Sequence, residues 1–444
     1  MKYYDALRIW NNEKAHDMYC RPRKGTPEHA EVIAIQNKTK EAPKKAANIL
    51  KSAIKRKITK PFVPTPAPAP APIPTPTLTP APTPTPMQTP FDNLKVIKNF
   101  LKDKLILNKY TLTNRINRYK IINKRLDQLK KDDCLEKKGE GYTIRNIVNL
   151  EKRIGTKSKI GTIYLTSIPN NLGAFPIASK VMKNIPENIL ETELMKNITE
   201  NIILKGYSKH FTIMYKDTLC SKEKYPEKAK LVNYNELCNG DLKTLANDVN
   251  LLSNEELVFN LLFQSFISIA TFHNILNYTH QDAHSGNFLY QLNNETGYYH
   301  YIFKVGNNKI EFYLKSCKYN ICIYDFGLAE LIEDVQPAGN LTAVTEISND
   351  YDRIVNVFKS KKTGGWVKIP NYPPKEINDK MVKITNELFY IANDAGKQKM
   401  KISTFKILMF LKIIDMFKKY SPAGMILNVK PPNVLNDNPY YISM

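Results

Sequence analysis

The chain is short of cysteine, lacks acid over one long stretch, and has no hydrophobic run free of polar interruption. Its six cysteines (Cys20, Cys134, Cys220, Cys238, Cys317, Cys322) include no pair at C-x-x-C spacing. They read as free thiols in a reducing compartment, and a zinc site built from His16, Cys20 and His29 is disfavoured. No signal peptide or lipidation motif opens the chain, so a location other than the secretory route is expected. From Ala42 to Phe91 there is no acidic residue, while Lys44, Lys45, Lys51, Lys55, Arg56, Lys57 and Lys60 cluster on the near side, in a chain of formal net charge +23. Such an arm favours polyanions, whether nucleic acid or an acidic protein surface. No stacking aromatics interleave with its lysines, so simple solubility is the competing explanation. Charge is also absent from Leu257 to Gln281. That apolar stretch is long enough to be weighed as a membrane span, but Asn260, Gln264, Ser265, Ser268, Thr271, His273 and Asn274 interrupt it. Such residues are expensive in lipid and natural in a helix buried within a protein.

With 42% hydrophobic residues in 444, the chain can bury a two-lobed core and still carry extensions. Residues 1–60 form a basic extension. From Pro61 to Pro90 proline alternates with threonine or alanine, which forms neither ladders nor helices, so 61–90 is expected to stand as a disordered polyproline II linker or to serve a proline-reading domain. Residues 91–141 read as a helical flank, with apolar spacing at Leu94, Ile97, Leu101 and Leu105 and again at Ile122, Leu126 and Leu129.

The chemistry-bearing residues lie further on. Moving a γ-phosphoryl group needs magnesium across the phosphates, hence hard oxygen ligands, and a carboxylate to receive the acceptor's proton. Asp282, Asn287 and Asp325 have those side chains. They sit in Tyr278-Thr279-His280-Gln281-Asp282-Ala283-His284-Ser285-Gly286-Asn287 and in Ile323-Tyr324-Asp325-Phe326-Gly327, each beside an apolar strand-like run. The first segment resembles the catalytic loop of protein kinases and the second their Asp-Phe-Gly motif. The resemblance implies an α+β, bilobal fold with a small β-rich lobe (142–238) and a larger, mostly helical lobe (239–444). It implies Asp282 as the base, Asn287 and Asp325 as magnesium ligands, His280 as structural support, and ATP with Mg2+ as cofactors.

A kinase should also carry, upstream and in order, a phosphate-covering loop, a strand lysine and a helix glutamate. The run from Ile154 to Tyr164 resembles the glycine-rich loop through Gly155 and Gly161. It departs from the family at the middle glycine, which is Lys157, and in a spacing longer by one. Pro176-Ile177-Ala178-Ser179-Lys180 looks like the Val-Ala-Ile-Lys strand, which places Ala178 against the nucleotide and Lys180 on its phosphates. From Glu191, apolar residues follow at Leu194, Met195 and Ile198. Glu191 is therefore expected to pair with Lys180, with Glu193 held as the alternative. Leu231–Leu237 and Cys238–Leu242 resemble the last small-lobe strand and the adenine-binding hinge.

Departures from the family carry information too. Gln281 stands where an arginine usually binds a phosphorylated activation loop, so activity should not need loop phosphorylation. His284 stands where protein kinases usually have lysine; it is expected to be neutral near pH 7 and to serve the phosphate side of catalysis. This histidine is similar to that of haspin-like kinases and of small-molecule phosphotransferases. Two aromatic-rich runs around Gly306-Asn307-Asn308 read as an inserted β-hairpin, again similar to haspin-like kinases and the divergent kinases of large DNA viruses. No Ala-Pro-Glu follows Gly327, and Asp352 resembles the aspartate that braces the catalytic loop from a central helix. The stretch Tyr3–Trp10 with Tyr19–Pro27 resembles an amino-terminal element of large DNA virus proteins. The resemblance thus implies a haspin-like Ser/Thr protein kinase over about residues 142–420. It implies a protein substrate, a monomer without a membrane span, and a host-cytoplasmic, viral-factory or virion location. A small-molecule phosphotransferase and a catalytically silent kinase-fold scaffold are the alternatives.

Overall fold

The computed structural model describes residues 111–154, 161–169, 177–220, 229–332, 341–365 and 371–443. The basic extension, the proline-rich linker, the first part of the helical flank and the loop containing Gly155 lie outside the described residues.

The described part of the flank holds a helix, α1 (Leu112–Leu126), but the expectation of a helical 91–141 is corrected, since a first strand already runs over Glu136–Lys138 and the sheet begins within this stretch. Thr111 caps α1 by accepting from the Asn114 amide, and Lys124 and Arg125 sit in its last turn, where the helix dipole favours cations. It buries Arg115, Arg118, Ile122 and Leu126. Its packing makes it part of the same core as the strands that follow.

Those strands form one antiparallel sheet in the order β1-β2-β3-β4-β5-β7-β6. They are β1 (Glu136–Lys138), β2 (Gly141–Ile144), β3 (Val148–Ile154), β4 (Gly161–Ser167), β5 (Ile177–Lys183), β6 (Met214–Cys220) and β7 (Lys230–Glu236). Helix α2 (Pro186–Ile198) crosses between β5 and β6. Pro186 starts it where an amide hydrogen would go unused anyway, and Glu187 in the first turn complements the dipole. Its inward face presents Asn188, Glu191, Thr192, Leu194, Met195 and Ile198.

Cys134 and Cys220 are joined by a disulfide, Cα to Cα 4.6 Å. This corrects the expectation of six free thiols, and with it the redox argument for a reducing compartment. The Leu219 amide donates to the Lys131 carbonyl at 2.7 Å, which lays residues 131–134 alongside the end of β6 and brings two cysteines 86 residues apart into contact. Cys238, Cys317 and Cys322 are free.

After β8 (Gly240–Asp241) and two short helical turns the chain becomes mainly helical. Helix α3 (Glu255–Thr271) is capped by Asn254 and buries every residue from Val258 to Thr271, which is why its sequence is apolar all round. Among the described residues, Glu255–Leu276 is the stretch long and apolar enough to cross a membrane, but 89% of its apolar window is buried within the protein. Around it pack α4 (Leu341–Val355), α5 (Lys375–Lys397) and α6 (Ile402–Tyr420).

The remaining strands serve the loops. The two-residue strand β9 (Tyr278–Thr279) pairs with β14 (Glu330–Leu331), and β10 (Phe288–Leu292) lies between β8 and β13 (Tyr319–Ile323). The inserted hairpin is β11 (Tyr298–Val305) and β12 (Asn308–Lys315). It turns at Gly306-Asn307, where Gly306 has φ +58°, a conformation that costs glycine little. Its two outer edges are taken by β15 (Ile426–Leu427) and β16 (Tyr440–Tyr441).

Candidate active site

The buried half of the site starts on β5. Lys180 lies opposite Ile163 of β4 and Asn233 of β7, in the middle of the sheet, and is almost wholly buried. A lone buried ammonium would be prohibitively costly. Lys180 Nζ instead reaches both oxygens of Glu191 on α2, at 2.6 and 2.8 Å, and Asp325 Oδ1 at 2.9 Å. Burial acts to lower the Lys180 pKa, and Glu191, Tyr324 and Asp325 more than offset it, so the ammonium is retained. Burial also pushes the Glu191 carboxyl up to about 7, against the pull of Lys180 and with the push of Asp325. For Asp325 burial is outweighed by Lys180, and its pKa is lowered. Glu193, the alternative partner, is mostly exposed and meets Lys196 instead.

Gly161 opens β4 opposite Met182. A Cβ there would come within 3.0 Å of Met182 Cγ and 3.1 Å of the Val181 carbonyl, so a side chain at this position would press on β5. Ala178 packs with Ile154 on Leu165 and Leu237, a small apolar cluster separate from the main core.

The residues from His280 to Asn287 form the second half. His280 Nδ1 accepts from the Asp282 amide at 3.3 Å, so its other nitrogen carries the proton and donates to the Tyr324 carbonyl at 3.1 Å. Asn287 Nδ2 donates to the Asp282 carbonyl at 2.9 Å and approaches its carboxylate at 3.3 Å, which leaves the amide oxygen as the atom to offer a cation. His284 folds back so that Nδ1 accepts from the Gly286 amide at 2.9 Å. That fixes its proton on Nε2, which lies 3.5 Å from Asp282 Oδ2. A Cβ at Gly286 would stand 2.8 Å from the imidazole, so glycine is required for this fold-back.

The brace is Asp350, not Asp352. Asp350 on α4 accepts from the His280 amide at 2.7 Å and the Gln281 amide at 3.0 Å, and meets His273 Nε2 at 2.9 Å. Asp352, one place on from Tyr351, turns away on the helix and meets Asn356 at 3.4 Å. Two residues on a helix differ by about 200° in direction, so the two aspartates cannot serve the same loop. Gln281 and Asp325 hold positive φ (+63° and +66°), unusual without glycine. Asp350 and a hydrogen bond from Arg353 Nη1 to the Gln281 carbonyl hold the first, and Lys180 holds the second.

Phe326 is buried between Phe272 (ring centroids 4.9 Å apart), His280 (5.5 Å) and Phe211 (6.5 Å). Sequence reasoning missed Asp350, the Ile154–Leu165–Leu237 cluster and this aromatic stack; only the Phe of Asp-Phe-Gly hinted at the last.

No family model matches the chain, and no curated protein matches it. A solved crystal structure of a kinase domain is similar at 14% identity over 68% of this chain and 89% of that chain, with a TM-score of 0.35. At that level the likeness carries no argument, and the reading below rests on geometry.

Proposed function

We propose that the chain is an ATP-dependent protein kinase of haspin-like type that transfers the γ-phosphoryl group to Ser or Thr hydroxyls. The observation that carries the reading is Lys180 joined at once to Glu191 and Asp325, with Asp282 and Asn287 in mutual contact on the loop that Asp350 holds. An ammonium bridging two carboxylates beneath the middle of a sheet is a poor stability device. It is a good way to hold a cation where phosphates will arrive.

The donor set fits magnesium–ATP. Magnesium is commonly held by one or two protein oxygens and the substrate's phosphates, not by a dedicated cage. Among the described residues no cluster of three or more His, Cys, Asp or Glu could hold a metal alone. Asp325 and the Asn287 amide oxygen are the two protein oxygens available. Bound magnesium would neutralise charge developing on the phosphates. The protein's part is to place them: Lys180 on the α- and β-phosphates, the Ile154, Leu165, Ala178 and Leu237 side chains on the adenine, and Asp282 on the acceptor's hydroxyl proton. His284, with its Nε2 toward Asp282, serves as a hydrogen-bond donor near the transferred group.

One observation favours a second reading, transfer to a small molecule. Only residues 328–340 separate Gly327 from α4, and β14 already uses two of them to pair with β9. That leaves little chain for a peptide platform of the usual kinase kind. A viral origin, a virion or host-cytoplasmic location and a polyanion-binding arm are parts of the same proposal. Labelled ATP and magnesium offered with a mixture of protein and small-molecule acceptors would decide. Label on Ser or Thr supports the first reading, label only on small molecules the second, and neither transfer nor nucleotide binding would leave a silent scaffold.

A further inference from the structure

Arg115 lies outside the stretch that resembles a kinase, yet it is wholly buried and spends its guanidinium on two segments, the end of β7 and residues 209–211. Its Nε donates to the Glu236 carboxylate at 2.9 Å and its Nη2 to the same carboxylate at 2.7 Å. Nη1 donates to the Lys209 carbonyl at 2.7 Å and Nη2 to the Phe211 carbonyl at 2.5 Å. Glu236 is the last residue of β7, where the sheet hands over to the crossing at Leu237–Asp241. Its carboxylate also accepts from the Ile213 amide at 3.3 Å.

The segment that Arg115 grips reaches further. The His210 carbonyl accepts from the Ile323 amide at 2.9 Å, and Phe211 bridges to Ile323, two residues before Asp325. On its other side, the Met214 amide donates to Thr199 Oγ1 at the end of the helix that carries Glu191. One planar fork therefore ties the crossing strand, the strand leading to Asp325 and the connection from α2 into a single frame.

We infer that Arg115 is a positioning residue for the nucleotide site: by clamping Glu236 to residues 209–211 it sets the spacing between the crossing strand and the Lys180–Glu191–Asp325 cluster. The inference rests on the nucleotide-site reading above. It implies that the working unit includes α1 and does not begin at the first strand.

The test measures magnesium–ATP affinity by calorimetry without acceptor, KM and kcat with it, and thermal melting. The proteins are the full chain, Arg115→Lys, and the double variant Arg115→Met with Glu236→Met. Lysine keeps the charge and loses the fork, so ATP affinity should fall about tenfold, with KM for ATP changed more than kcat. The double variant buries no charge, so it should melt close to the unaltered protein and still bind ATP as weakly as Arg115→Lys. Unchanged affinity in folded Arg115→Lys would overturn the inference. Recovery of affinity in the double variant would do so too, since only the buried charge would then matter, and failure of both variants to fold would assign Arg115 to folding alone. If the unaltered chain binds no ATP, the nucleotide-site reading falls and takes this inference with it.

Discussion

The two halves of the candidate site are built on opposite terms. Lys180 and Glu191 are sealed in, with side chains 4% and 0% exposed, while Asp282 and His284 are 39% and 38% exposed. The sealed half joins Lys180 and Glu191, 11 residues apart, to Asp325 across 145 residues, and depends on the sheet, α2 and residues 209–211 holding together. The open half is made by one loop whose Asp282, His284 and Asn287 contacts are local, held from a distance by Asp350, Arg353 and the Tyr324 carbonyl. Water can reach Asp282 and His284, whereas the lysine's charge is kept where water cannot screen it. On the proposed kinase reading, fixed charge lies on the donor's side and access on the acceptor's.

Predictions that would break this comparison begin with the largest effect. Asp282→Asn and Asp325→Asn are nearly isosteric, so each should cost phosphotransfer about 10²-fold or more while melting remains cooperative. Turnover equal to the unaltered protein in either variant would end the kinase reading. In the sealed half, Glu191→Gln should reduce transfer, because it leaves Lys180 held by one carboxylate fewer; the rate of phosphotransfer reads the effect.

The same pair sets a pH dependence. With Glu191 near 7, activity should fall as pH drops through about 7, since protonation releases Lys180, whereas Asp325, with its lowered pKa, stays ionised throughout. The sign for stability follows from burial: Glu191 is raised above its ordinary 4.5, so the unfolded chain loses that proton first. Stability contributed by the neutral form should therefore decline between about pH 4.5 and 7. A rate profile flat from pH 6 to 8, those bounds being roughly one unit either side of 7, would contradict the assignment.

The brace gives a smaller, sharper contrast. Each Asp350 oxygen accepts from one backbone amide, so Asp350→Asn turns one of these acceptors into a donor and should cost about 1–3 kcal/mol. Asp352→Asn should cost under about 1 kcal/mol. Chemical denaturation of the two variants would separate them, and equal losses would mean that the brace is shared. The smallest expected change follows from Gln281, whose side chain donates to Thr279: phosphatase treatment of the chain should leave its rate unaltered.

What sequence could and could not show follows from the same division. The loop from His280 to Asn287 was legible because its working contacts span five residues or fewer, so residue type and spacing nearly determine them. Lys180 and Glu191 were reachable through the order of strand and helix. The phase of α4 was not: Asn349-Asp350-Tyr351-Asp352 offers two acids, and only packing against His273 selects the first. Arg115 meets Glu236 across 121 residues and Cys134 meets Cys220 across 86, separations at which no local pattern announces a partner.

The sheet around the inserted hairpin has a consequence for how the chain is made. Both outer edges of β11 and β12 are covered by strands from residues 426–441, and Ser443 closes onto Lys304 across 139 residues. During synthesis the hairpin emerges long before its covers, with two aromatic-rich edges open to any other extended chain. A ribosome halted before residue 426 would release a product whose catalytic loop is complete and whose hairpin is unguarded. Such a product would be lost to aggregation before any defect in chemistry could show.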